Sequence, residues 1–316
     1  MNLIEEDKKK AKRFVYATIG AFDGVHIGHQ QLIKSMVNKA HQDSANALVV
    51  TFHPHPVVVL KSLPMPFYIS TPSEKEIIFR QLGVDSVLDL KFTKKMAGME
   101  PDEFIDLLLT QYPITQFWLG KDFTLGKNRA GNLTVLGEIG KEKGFSVIEC
   151  PFIEDGHRKV SSSEIRKWII SGVFPPTTRA LNRYYSLKGK VTHGDSRGKK
   201  IGFPTANLDV WQGKLIPMAG VYATWITIDD QTFPSVTNVG VRPTFESTDK
   251  TPKVEAYILD FDQDIYNKQV QLHFVENIRV EKKFNSIDEL VSQIQRDAKQ
   301  AEEILKNVKK PTGLFT

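Results

Sequence analysis

The spacing of apolar residues changes character once along this chain, after about Gly172, and that change constrains the fold more than any other feature. Before it, short apolar runs at 14–20, 47–52, 86–90, 116–120 and 145–150 read as buried strands with amphipathic segments between them. In one such segment Leu32, Ile33, Met36, Val37 and Ala40 repeat at helical spacing and form a single core-facing stripe. Strands that alternate with helices predict a doubly wound parallel α/β sheet, whose ligands bind beyond the carboxyl ends of the strands.

Beyond Gly172 a Pro-bearing segment, 173–178, leads into runs that alternate and carry turn residues. Residues 221–228, the pair Asp229-Asp230 and residues 232–239 predict a hairpin, and 253–261 and 269–280 predict further strands. A small antiparallel β-barrel follows. The chain closes with a helix in which Ile287, Leu290, Val291, Ile294, Ala298, Ala301 and Leu305 keep helical spacing and pack on that barrel. At 316 residues the chain exceeds the size at which one core stops growing, so the two textures are expected to be two domains, 1–183 and 184–316.

A formal charge of +5, with basic and acidic residues interspersed, demands no nucleic-acid partner and suits small anionic substrates. The lone Cys150 excludes an intramolecular disulfide and is expected to be packing rather than chemistry. The first residues hold no apolar core of secretory length, and no stretch approaches the ~18 consecutive apolar residues of a membrane span. A cytoplasmic protein without membrane attachment is the expectation.

The strand at 14–19 runs into Gly20-Ala21-Phe22-Asp23-Gly24-Val25-His26-Ile27-Gly28-His29, with a helix predicted from about His29. Glycines let backbone approach a ligand, a helix N-terminus offers free N–H groups, and His26 and His29 add donors for charge developing on a phosphate. Nucleotidyl transfer needs mainly such positioning and charge stabilisation. The string resembles the His-x-Gly-His signature of the Rossmann-like nucleotidyltransferase superfamily in its bacterial FAD synthetase branch. That resemblance places Gly20, Phe22, Gly28 and His29 at ATP.

Further along, Ser161 and Glu164 form a capping box that explains part of Ser161-Ser162-Ser163-Glu164-Ile165-Arg166, but not Arg166. The segment resembles the family motif in which serine hydroxyls and an arginine hold ATP phosphates, which gives Ser162, Ser163 and Arg166 that role. Thr51-Phe52-His53-Pro54-His55-Pro56 and Gly120-Lys121-Asp122-Phe123-Thr124-Leu125-Gly126 match the same family, and the resemblance puts His55, Asp122 and Phe123 at the flavin. A zinc site at His53 and His55 is the weaker idea, since no further ligands follow at metal-binding spacing. Arg129 reads as an exposed arginine.

The second half holds a basic glycine loop, Gly194-Asp195-Ser196-Arg197-Gly198-Lys199-Lys200, followed by Gly202-Phe203-Pro204-Thr205-Ala206-Asn207. It resembles the riboflavin kinase fingerprint, with Gly194, Arg197, Gly198 and Lys199 as the nucleotide loop. Kinase chemistry needs a metal on the ATP phosphates, and the Thr205 hydroxyl and Asn207 side-chain oxygen suit Mg²⁺. Glu255 is an acidic residue flanked by apolar neighbours in its strand. Either an ion pair with Arg242 or Arg279 or a task as proton acceptor explains it. The resemblance favours the base, because Val254-Glu255-Ala256-Tyr257-Ile258-Leu259-Asp260-Phe261 matches the family's glutamate string. Asn238-Val239-Gly240-Val241-Arg242-Pro243-Thr244-Phe245 is expected to shape the flavin pocket.

Taken together, the motifs resemble the bifunctional riboflavin kinase/FMN adenylyltransferase family from about residue 14 to the last helix. The resemblance implies an enzyme that converts riboflavin and ATP to FMN in its C-terminal domain and FMN and ATP to FAD in its N-terminal domain, with Mg²⁺ as cofactor. The alternatives are the same fold with one working half, or a nucleotide- or RNA-binding sensor without turnover.

Overall fold

The computed structural model describes residues 14–150, 154–155, 158–194, 198, 201–240 and 252–311. They form two compact units, residues 1–160 and 161–316. The domain boundary expected at 183/184 and this division differ by the two helices over 162–181, which pack with the barrel.

In the first unit, β1 (Val15–Ile19), β2 (Asn46–Phe52), β3 (Ser86–Leu90), β4 (Ile114–Gly120) and β5 (Ser146–Cys150) form a parallel sheet in the order β3-β2-β1-β4-β5. Every residue of β1 is buried, as the central strand of a covered sheet must be. Helix α1 (Ile27–Gln42) lies against β1 and β2 and buries Ile33, Met36, Val37 and Ala40, while Leu32 of the expected stripe is half-buried. Then follow α2 (Pro56–Lys61), α3 (Pro72–Gln81), α4 (Lys94–Ala97), α5 (Pro101–Leu109) and α6 (Leu133–Lys143). Phe104, Ile105 and Leu108 of α5 and Leu136 of α6 pack with Ala17, Ile19, Leu48, Val50, Phe117 and Leu119 of the sheet. Fully burying each such side chain contributes about 1.5–3 kcal/mol. Chain order reverses between β1 and β4, so the crevice beyond their carboxyl ends is the expected ligand position.

The second unit begins, after the two-residue strands β6 (Glu154–Asp155) and β7 (Arg158–Lys159), with α7 (Ser162–Ile170) and α8 (Phe174–Leu181). Strands β8 (Tyr185–Thr192), β9 (Thr205–Val210), β10 (Gly220–Ile228), β11 (Gln231–Gly240), β12 (Lys253–Ile258) and β13 (Gln269–Val280) close into an antiparallel barrel. Phe174 of α8 packs on Tyr185, Tyr222 and Phe274 of the barrel, with ring centroids 4.9–6.2 Å apart. All of β10 is buried, because α9 (Ile287–Lys306) covers its outer side: Val221, Ala223 and Trp225 meet Ala301 and Leu305. Of the predicted helix stripe, Ala298, Ala301 and Leu305 pack on the barrel and Leu290, Val291 and Ile294 are half-buried, whereas Ile287 is 65% exposed. Asp297, absent from that stripe, is buried and takes Arg279 Nη2 at 2.8 Å.

Candidate active sites

The turn after β1 is tied down from several sides. His26, with extended backbone, precedes α1, which therefore starts at Ile27 rather than at His29. The His26 and His29 rings stack at 3.7 Å, and the Phe22 ring meets His29 edge-on at 5.1 Å. Gly20 lies beneath the Phe22 ring, and Gly28 sits beside the His26 ring in the first turn of α1. Phe22 and Val25 have φ of 48° and 39°, a region that side-chain-bearing residues enter only when their surroundings hold them there. Part of that hold is Asp23, buried, whose carboxylate accepts from Ile69 N and Ser70 N at 3.0–3.1 Å.

His29 Nδ1 is enclosed with no hydrogen-bond partner among the described residues. Burial, followed by the His26 ring and the Lys75 ammonium, holds the His29 pKa well below the usual histidine value. It is thus neutral at pH 7 and offers one N–H donor rather than a charge.

Sequence reasoning missed Lys75 of α3, which is 5% exposed. Its Nζ donates to Thr51 Oγ1 at 2.9 Å, Ala21 O at 3.2 Å and Phe52 O at 3.5 Å. The available signal was a lysine on the same helical stripe as Ile78 and Phe79.

Of the residues that the resemblance puts at the flavin, His55 caps α2 by accepting Val57 N on Nδ1 at 3.1 Å, and its backbone N–H donates to the Tyr68 hydroxyl at 3.0 Å. Asp122 is exposed in the turn after β4, and Phe123 is partly buried against the core of the sheet. Ser161 caps α7, accepting Glu164 N at 3.3 Å, as expected. Ser162, Ser163 and Arg166 occupy the first turns of α7, in the second compact unit.

In the barrel, antiparallel register places Asn207 directly opposite Glu255 and Thr205 opposite Tyr257, while Glu255 also faces Asn238 of β11. Directly opposed residues share a face, so Thr205, Asn207, Asn238 and Glu255 form one polar patch. Gly194 and Gly198 come down on it. A Cβ added at Gly194 would lie 2.1 Å from Asn207 Nδ2, and one at Gly198 would lie 2.3 Å from Phe203 O and 3.5 Å from Thr205 Oγ1. Only glycine permits that approach. Arg279, one expected partner of Glu255, pairs with Asp297 instead, and no ion pair reaches Glu255 among the described residues. Arg197, Lys199 and Arg242 lie outside the described residues.

Comparison with known proteins agrees with the two halves. Residues 8–164 match the FAD synthetase family and residues 181–305 the riboflavin kinase family. The bifunctional riboflavin kinase/FMN adenylyltransferase of Bacillus subtilis is 34% identical over 98% of this chain and 97% of its own length. That of Listeria monocytogenes is 35% identical over 88% of each chain. A solved structure from Streptococcus pneumoniae, described as a macrolide-efflux protein, is 30% identical and matches with a TM-score of 0.85 over 95% of this chain and 96% of that one. Efflux belongs to that protein's description; no helix among the described residues here is long and apolar enough to cross a membrane. With both family matches in order and full-length relatives at this identity, the chain belongs to the bifunctional riboflavin kinase/FMN adenylyltransferase family and is both a phosphotransferase and a nucleotidyltransferase.

Proposed function

We propose that adenylyl transfer runs at the turn between β1 and α1, and phosphoryl transfer on the polar patch of β9 and β12. The observation that carries the kinase assignment is the register that sets Glu255 beside Asn207 beneath Gly194. Riboflavin's 5′-hydroxyl gives its proton to the Glu255 carboxylate as its oxygen attacks the γ-phosphorus of ATP. The bond from that phosphorus to the β,γ-bridging oxygen breaks, and ADP leaves. Thr205 and Asn207 are neutral oxygen donors beneath a backbone cradle, a set that fits Mg²⁺ carried on phosphate rather than an all-protein metal cage. Among the described residues no three His, Cys, Asp or Glu side chains gather to hold a metal ion. When bound, Mg²⁺ would neutralise charge on the phosphates. Gly194, Arg197, Gly198 and Lys199 are assigned to nucleotide phosphates.

In adenylyl transfer a phosphate oxygen of FMN attacks the α-phosphorus of ATP. The bond from that phosphorus to the α,β-bridging oxygen breaks, pyrophosphate leaves, and FAD holds the new P–O–P link. No covalent enzyme intermediate is needed. His26 and His29 donate to oxygens that gain charge, and the open N-terminus of α1 adds its N–H groups. Gly20, Phe22 and Gly28 shape the ATP side, and His55, Asp122 and Phe123 are assigned to the flavin. Ser162, Ser163 and Arg166 are assigned to ATP phosphates, so the adenylyltransferase domain is 1–183 and the kinase domain 184–316. Cys150, whose thiol burial and Glu149 push up to about 11, takes no part and suits a reducing cytoplasm.

Incubation with riboflavin, ATP and Mg²⁺, with chromatography of the flavins, tests this reading. FMN should appear first and FAD after it, chelation should stop both, and Mg²⁺ should restore them. FMN without FAD would remove the adenylylation; binding without turnover would make the protein a nucleotide sensor.

A further inference from the structure

We propose that Lys75 is a positioning residue for adenylyl transfer, its ammonium clamping the Ala21 carbonyl so that Phe22 and, through it, His29 are held in place. The inference rests on the adenylylation reading above.

A buried ammonium is costly unless it is well bonded. All three donors of Lys75 are used: Thr51 Oγ1 at 2.9 Å, Ala21 O at 3.2 Å and Phe52 O at 3.5 Å. None of these acceptors is a carboxylate. Asp23 and Asp89 act on the ammonium only through their fields, and burial outweighs them, pulling the Lys75 pKa down. An arrangement chosen for stability alone would place an apolar side chain here.

What the ammonium secures is the backbone. Ala21 O accepts from both Lys75 and Thr51 Oγ1, the latter at 3.2 Å, and the Thr51 side chain is buried. In a planar trans peptide, anchoring that carbonyl fixes the direction of the Phe22 N–H. Phe22, at φ of 48°, therefore has its unusual conformation imposed from Lys75 on one side and from the Asp23 contacts to Ile69 and Ser70 on the other. The Phe22 ring in turn meets His29. The donor itself is rigid. A capping box at the start of α3, in which Glu74 N donates to Thr71 Oγ1 at 3.1 Å and Thr71 N to Glu74 Oε2 at 2.9 Å, fixes the turn that carries it.

Lys75 also acts on His29 through its field. The groups that lower the His29 pKa besides burial are His26 and Lys75, and the carboxylates near the ammonium are Asp23 and Asp89. Removing the ammonium therefore raises the His29 pKa.

The test uses the full chain carrying Lys75→Met. Wild type must first convert FMN and ATP to FAD; if it does not, the adenylylation reading fails and not this inference. The variant should lose roughly ten- to a hundredfold in kcat for FAD formation, the scale expected of a small misplacement, with KM for FMN and ATP changed less than about threefold. Riboflavin phosphorylation should be unchanged, and the His29 ring signal followed by NMR should titrate at higher pH than in wild type. Undiminished kcat, a loss confined to KM, or an unmoved His29 titration overturns the proposal. Should Lys75→Met not fold, Thr51→Val decides: a several-fold fall in kcat at unchanged KM supports the clamp, and wild-type kcat overturns it.

Discussion

The adenylyltransferase unit gathers its polar groups beyond the ends of parallel strands, where His26 and His29 stack on one turn and Lys75 from a helix, bonded to Thr51 of a second strand, acts on His29 through its field. The kinase unit instead carries Thr205, Asn207 and Glu255 inside its strands, and antiparallel pairing alone sets them side by side. A loop site has to be braced, and the bracing shows as buried polar side chains, Asp23 and Lys75, and as Phe22 and Val25 at positive φ. A site written in strand register inherits its rigidity from the ladder. Among the described residues the close fits there are those of glycine backbone, Gly194 over Asn207 and Gly198 against Phe203 O.

Five experiments break or sharpen this contrast, beginning with the largest effect. Glu255→Gln should lower riboflavin phosphorylation by about 10²–10⁴ in kcat while FAD formation from supplied FMN stays at wild-type rate. A fall in both in folded protein would end the assignment of separate sites. His29→Ala should lower FAD formation by about 10²–10³ and leave phosphorylation intact. Because the His29 pKa is depressed, the acid limb of wild-type FAD formation should lie below the ordinary histidine value of about 6.5; a half-point at 6.5 assigned to His29 would contradict its burial.

The barrel has a buried histidine too, and it is not at the proposed site. His273 Nε2 bonds Thr227 Oγ1 at 3.0 Å, and burial lowers its pKa to about 4. Since the folded value lies below the unfolded one, the unfolded chain takes up the proton first. Stability is full above pH about 6.5, falls as the pH drops and levels off below about 4, a loss of about 3 kcal/mol. Urea unfolding across that range measures it, and His273→Gln should flatten the profile; an equally steep profile in that variant would assign the effect elsewhere.

The smallest effect concerns the boundary. Arg166→Ala should reduce FAD formation roughly ten- to a hundredfold, the scale of charge-assisted hydrogen bonds, and spare phosphorylation, although α7 lies in the barrel's compact unit. Loss of FMN formation instead would move the functional boundary to the compact one.

Much of the fold was legible because its signals are local. The β10–β11 hairpin follows from alternation around Asp229-Asp230, whose φ values of 45° and 67° are those a two-residue hairpin turn requires. Ile287 keeps the helical period yet is exposed, and Asp297 breaks the stripe yet is buried, because Arg279 of β13 meets it there. Periodicity reports which face a residue is on, not what stands opposite. At the sites, the histidine string and the glycine loops were legible as contiguous motifs. Lys75 was not, since its acceptors lie 23 to 54 residues away and a lysine in a helix ordinarily reads as solvated.

By itself the sequence determined the strands and helices, the two textures and the motifs to which the chemistry is assigned, since propensity, period and capping act within a few residues. Tertiary structure alone decided that Asn207 stands opposite Glu255, that Lys75 clamps Ala21, and that α7 and α8 pack with the barrel. Those meetings depend on how separate elements pack, which no local pattern encodes.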